Sequence, residues 1–296
     1  MTEATLESAE ARREPRTLSE RLVRLLGRAP IHLALGFIAL IWLLPSVGLL
    51  VTSFRPREDI QVSGWWEILG NLRLTLDNYS QVLSGQGMLP AFLNSVYITV
   101  PSTILPLLIA SLAAFGFAWV KFPFRDTIFL IVVALMMVPV QLALIPILEL
   151  FANFQLNRSF VGIWLAHTAF SLPFGIFLLR NFFITLPRDL IEAARIDGAS
   201  SFNIFRRVVI PLSVPALASY GIFQFLWVWN DLLMALVFAP AAGKPMTVQV
   251  TRLLGTYGSE WHILAASSFL VMIVPLIVFF SLQRYFVQGL LAGSVK

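Results

Sequence analysis

Six long apolar runs dictate what this chain can become, at about 31–54, 91–120, 127–150, 160–182, 212–239 and 263–286. Each is near or above the roughly 20 residues a helix needs to cross a bilayer. Lipid offers no partner to an open backbone group, so each run must close its own hydrogen bonds. The sequence therefore predicts an all-α polytopic membrane protein with six transmembrane helices. The runs lack the short alternating segments of a membrane β-barrel. Hydrophobic residues at 58% and charged residues at 12% exclude a soluble globular domain.

Cation placement orients the spans. Of 21 Lys and Arg residues, Arg55, Arg57, Arg73, Arg158, Lys244 and Arg252 fall on one side, and the other fifteen share a side with both ends of the chain. The positive-inside rule puts both termini in the cytoplasm. The net charge of +5 then reflects topology, and no nucleic-acid partner is needed to explain it. The expected order is a cytoplasmic arm over 1–30, the first span over 31–54 and an external segment over 55–90. A core of five further helices follows over 91–286, then a cytoplasmic tail over 287–296. The apolar run after the arm is too long for a signal-peptide core. With no cysteine there is no disulfide or thiolate site. His32, His167 and His262 lie in separate segments without ligand spacing, so they read as packing or interfacial residues and no metal is expected.

Between the fourth and fifth runs lies a charged, helix-competent segment, 187–211. Pro187 suits a first helical turn, and Asp189 and Glu192 place negative charge near the positive end of the helix dipole. Leu190, Ala193, Ala194 and Asp197 fall at helical neighbour spacing, a face that a partner can approach closely. Gly198 tolerates the left-handed conformation that ends many helices, and Ser200 or Ser201 can cap a second helix. The result is a helix, a sharp turn and a helix, which serves either as a rigid docking peg or as an amphipathic connector on the headgroups.

Within the spans, Pro101, Pro106, Pro139, Pro146, Pro173, Pro215 and Pro275 each remove a backbone donor, so neighbouring helices or cavity water must satisfy the freed carbonyls. Trp227, Trp229, Asn230 and Asp231 occupy the outer half of the fifth run, with Asp231 roughly 12 Å from its outer end by helical rise. An intramembrane carboxylate is a functional candidate by default. It either lines a solute path, beside indoles that can stack on sugar rings, or bonds a neighbouring helix and locks the bundle. No catalytic constellation is present. None of the three lysines sits in a phosphate-cradling loop, so the chain has no ATP site of its own.

The order Glu192, Ala193, Ala194, Asp197, Gly198, followed by Arg206, Arg207, Ile210, Pro211 and Leu212, resembles the E-A-A coupling loop of ABC importer permeases. The likeness extends along the chain, through SFRPREDI and LTLDNYSQVL, the residues Phe92 to Ser95, and the turn KFPFRD. It continues in LPFGIFLLRNFF and FQFLWVWNDLL. The tail QRYFVQGLLAGSVK is similar to that of maltose-type subunits, apart from a missing final glycine.

The resemblance implies a type I importer permease in a bacterial or archaeal cytoplasmic membrane. Its pore would be shared with a second permease and driven by two ATPase subunits that hold ATP and Mg, with no cofactor in this chain. A periplasmic or extracellular protein would deliver a sugar, of oligosaccharide size. Glu192 to Gly198 would be the lever, and Gln288, Gly289 and Gly293 would lie at the ATPase interface. The external loop 239–262, with Gly243, Pro245, Gly255 and Gly258, would reach toward the binding protein or pack over the pore. The alternatives are a permease for a polyamine or glycerol phosphate, and an ion-coupled secondary transporter. The latter would show internal repeats and several midplane acids.

Overall fold

The computed structural model describes residues 18–256 and 260–292, and among these every regular element is helical. The first helix, α1 (Leu18–Phe54), begins inside the segment read as the cytoplasmic arm. Its spanning part, Ala29–Phe54, is almost wholly uncovered and packs on the last helix. The external segment folds back as α2 (Arg57–Val62), a 3-10 turn (Trp65–Leu69) and α3 (Asp77–Gly85). Asn78 of α3 donates to the carbonyls of Ser53 and Arg55, and this closes the outer end of α1.

Four helices are long and apolar enough to cross a membrane, and two bent pairs bring the number to six if each crosses as one span. The continuous spans lie in α1, in α4 (Met88–Trp119), in α7 (Phe160–Phe183) and in the final helix, α14 (Trp261–Ala292). The centre of the bundle is the α4–α7 pair, joined by α11 (Val214–Trp229).

The third and fifth runs are not the straight helices that hydropathy suggests. The third divides into α5 (Arg125–Ala134), extended by a 3-10 turn, and α6 (Val140–Asn153), which meet at 103°. Pro139 is the cause: it lacks an N–H, and it forces Val138 into an extended conformation with ψ 116°. The fifth run bends by 79° where the segment ending at Leu212 meets α11, then breaks again at Asn230. Asp231 accepts hydrogen bonds from the N–H groups of Met234 (3.3 Å) and Ala235 (3.0 Å), and so starts a separate short helix, α12 (Leu233–Phe238). The distance of Asp231 from the membrane surface therefore cannot be counted along one helix.

Three proline-freed carbonyls find side-chain donors on neighbouring helices. Pro101 releases the carbonyl of Tyr97, which accepts from Trp164 Nε1 at 3.1 Å. Pro106 releases Ser102, taken by Gln224 Nε2 at 2.9 Å, and Pro275 releases Val271, taken by Trp229 Nε1 at 3.0 Å. Each donor is thus fixed by a backbone defect on another helix, which stitches α4 to α7, α4 to α11, and α11 to α14.

The final helix continues through Gln288 and Gly289 to Ala292, past residue 286 where the sequence ends the sixth run and into the segment read as the tail. Gly293 and the last residues lie outside the described residues.

Candidate functional site: the cytoplasmic coupling segment

The segment after α7 forms α8 (Arg188–Ile196) and α9 (Ser201–Ile204), then a π-helical turn, Phe205–Val209, that leads through α10 (Ile210–Leu212) into α11. Pro211 has no N–H for the carbonyl of Arg207, and the widened turn falls immediately before it. Gly198 has φ +77°. Its N–H bonds the carbonyl of Arg195 and the N–H of Ala199 bonds that of Ala194, both at 3.0 Å, the paired pattern of a Schellman cap. Ser200 Oγ accepts from Asn203 N–H at 3.3 Å and caps α9. These bonds fix the corner, so α8 and α9 form a defined turn.

The corner is seated on the bundle by its inner face. Leu186, Ile191, Ile204, Phe205 and Val209 are buried in one cluster with Ala110, Ala114 and Phe115 of α4 and Leu179 and Phe183 of α7. Ala194 also packs against this cluster, which corrects the expectation that it shares an outward face with Leu190 and Ala193. Arg195 Nη2 donates to the carbonyl of Trp119 at 2.8 Å, and Trp119 Nε1 donates to the carbonyl of Phe183 at 3.1 Å. Helix α8 is thereby pinned to the cytoplasmic ends of α4 and α7 together. Its outer face exposes Glu192, Ala193, Asp197 and Gly198, along with Leu190, Ile196 (86% exposed) and Phe202. Leu190, Ile196 and Phe202 are more apolar than water alone would favour.

The four residues singled out in the fifth run have different surroundings. Trp229 is buried, stacks on Phe225 with ring centroids 5.7 Å apart, and bonds Val271, so it belongs to the α11–α14 contact and not to a pore wall. Asn230 is exposed and bonds its own helix at Leu226. Asp231 caps α12, with His167 Nε2 at 3.9 Å. Trp227 crosses the His167 ring edge-on at 5.6 Å. It also lines a cavity of about 320 Å³ with Phe170, Ser171, Phe174, Phe223 and Gln224.

Outside, the stretch over 240–249 is stitched down. Asn94 Nδ2 donates to the carbonyls of Ala242 and Lys244, Ser95 Oγ accepts from Met246 N–H, and Gln249 bonds the carbonyl of Gln86. Gly243 is buried where a Cβ would stand 2.5 Å from the Phe160 ring, and Pro245 is buried too, so neither is a surface contact. Lys244 donates to the carbonyls of Ala235 and Ala239; burial first, then the nearby Arg158 and Arg252, push its ammonium below the usual lysine range. The surface offered here is that of α13 (Met246–Thr256), with Thr251, Arg252 and Leu254 exposed. Gly255 lies within α13, and Gly258 lies outside the described residues.

Residues 106–291 match the family model described as binding-protein-dependent transport system inner membrane component. The chain belongs to that family. The permease is 53% identical over 275 residues to an osmoprotective compounds uptake permease protein of Synechocystis sp., covering 91% of this chain and 92% of that one. It is 39% identical to an alpha-glucoside transport system permease protein of Rhizobium meliloti, covering 90% and 96%. A bacterial ABC transporter involved in import of the acidic polysaccharide alginate has the same fold, with TM-score 0.62 at 16% identity, covering 91% of this chain and 99% of that chain. The permease is thus a multi-pass inner-membrane subunit of a binding-protein-dependent ABC importer. Among the described residues no three His, Asp or Glu side chains are grouped to hold a metal. The sequence had pointed to Glu192 and Gly198, whereas Arg195 and Trp119 carried no motif signal, because a bond to a backbone oxygen leaves no pattern.

Proposed function

We propose that this permease imports a neutral, hydroxyl-rich solute, a sugar, oligosaccharide or glycosidic osmolyte, by alternating access. The observation that carries the reading is the α7–α11 cavity, whose walls are Phe170, Phe174, Phe223 and Trp227 with Ser171 and Gln224, and no charged residue. Aromatic faces with hydroxyl and amide edges suit a sugar, whereas a polyamine or glycerol phosphate would need an opposite charge on burial. The names of the relatives, osmoprotective compounds and alpha-glucosides, support the same class.

The pore is completed by a second permease facing this cavity. Of two ATPase subunits, one docks on Glu192, Ala193, Asp197 and Gly198 of this chain and the other on the second permease, and the tail with Gln288, Gly289 and Gly293 enters their interface. An external sugar-binding protein meets the surface of α13. Closure of the ATPase pair on ATP moves α8, and the Arg195–Trp119 bond passes that movement to α4 and α7.

The test is a reconstituted complex assayed for ATP hydrolysis and uptake with its binding protein loaded with a glucoside, a polyamine or glycerol phosphate. Stimulation by the glucoside alone is expected, and stimulation by either charged solute alone would overturn the substrate class. Deleting residues 288–296 tests the tail separately, by loss of ATPase co-purification.

A further inference from the structure

Phe124 has φ +58°, a region strongly disfavoured for a bulky side chain, and the residue is 78% exposed. The ring gains little from packing within this chain, and a glycine would adopt the same backbone without strain. Such an outlier persists where the surroundings or a function hold it. It lies in the short cytoplasmic connection between α4 and α5, which places it at headgroup depth on the inner side of the membrane. Lys121 and Phe122 are exposed beside it, with Phe122 resting on Phe117 at 5.7 Å, and Arg125 opens α5. These residues, with Asp126 and Thr127, wall an open cavity of about 490 Å³. The one acid present, Asp126, is paired with Arg125 at 3.2 Å, while Lys121 forms no ion pair among the described residues.

We propose that Lys121, Phe124 and Arg125 form a binding site for anionic phospholipid of the inner leaflet. Phe124 enters the boundary between headgroups and acyl chains, and the two cations take the lipid phosphate. The charge is complementary to the negatively charged cytoplasmic leaflet, and the mixture of exposed ring and long basic stems suits an interface where one end is apolar and the other wet. The site adjoins Trp119, the residue that Arg195 of the coupling helix grips. Lipid held there fixes the resting position of the coupling corner relative to the bilayer.

The test uses the full chain in nanodiscs of phosphatidylcholine with or without phosphatidylglycerol. Because the chain has no cysteine, bimane on Phe124→Cys reports this one position. The expected result is quenching by lipid brominated near the headgroup and shielding from aqueous iodide. Lys121→Ala with Arg125→Ala should weaken phosphatidylglycerol retention about fivefold per charge removed. Phe124→Gly should leave the fold at least as stable in detergent, yet lose the thermal stabilisation that phosphatidylglycerol gives the parent chain. Equal iodide quenching in both lipids overturns the proposal. So does shielding that arises only when the ATPase subunits are added, which would make the loop a protein contact.

Discussion

Trp229 Nε1 lies 3.0 Å from the carbonyl oxygen of Val271, the oxygen that Pro275 leaves without a helical partner. An indole on α11 therefore completes the backbone of α14, and the pairing makes one residue's cost depend on another four positions along a different helix. Trp229→Phe keeps a ring against Phe225 but removes the donor, and is expected to cost about 1–3 kcal/mol in detergent unfolding. In a Pro275→Ala background the restored amide serves Val271, so the same change should cost clearly less. Additive losses in that double-mutant cycle would show that the indole does not act through the carbonyl.

Gly198 is tested by shape alone. A Cβ there meets nothing within 4 Å, so a substitution feels only the backbone. Gly198→Val should therefore impair docking through a left-handed penalty of about 1–2 kcal/mol, while Gly198→Asn stays near the parent chain. Measured as ATPase subunit recovered with the purified permease, equal losses for Val and Asn would mean that the side chain collides with the partner and that strain is not the cause.

Arg195 and Glu192 separate transmission from docking. Arg195→Ala breaks the tie to Trp119 and leaves Glu192, Ala193, Asp197 and Gly198 unchanged, so ATPase recovery should hold while solute imported per ATP hydrolysed falls. Glu192→Lys reverses charge on the exposed face and should lower recovery itself. Identical phenotypes would argue against α8 having one face for the bundle and one for the motor.

The all-helical class, the apolar runs and the corner at Gly198 were legible because each rests on local chemistry: run length against bilayer thickness, and a glycine placed after a helix. The span prolines marked places where helices can kink, but which of them break sharply was not legible. Hydropathy measures how apolar a run is and carries no direction, so Val138–Pro139 and Asn230–Asp231 vanish inside runs that stay apolar on both sides. The same limit misplaced Trp229. Two residues apart on a helix are about 200° apart around it, so Trp227 and Trp229 face opposite ways, and a span apolar on every side gives no clue which faces inward.

Asp231 distinguishes cap from charge. Met234 and Ala235 donate to different carboxylate oxygens, and asparagine keeps one acceptor, so Asp231→Asn should cost less than Asp231→Ala, which frees both N–H groups and should cost about 0.5–2 kcal/mol. Should Asn behave like Ala, the negative charge facing His167 at 3.9 Å would be the operative feature.

Trp227 is the one tryptophan of the pair that reaches the α7–α11 cavity, and it is 38% exposed in this chain. It contributes less to the core than Trp229, so Trp227→Ala should leave unfolding nearly unchanged. If the proposed solute stacks on Trp227, loss of a face worth about 0.5–1.5 kcal/mol should raise the solute concentration for half-maximal uptake by about two- to tenfold. Trp227→Phe keeps a ring and should fall between. A fall in maximum rate at constant half-saturation would instead assign Trp227, through its contact with His167, to the movement of α11 against α7 and not to the solute.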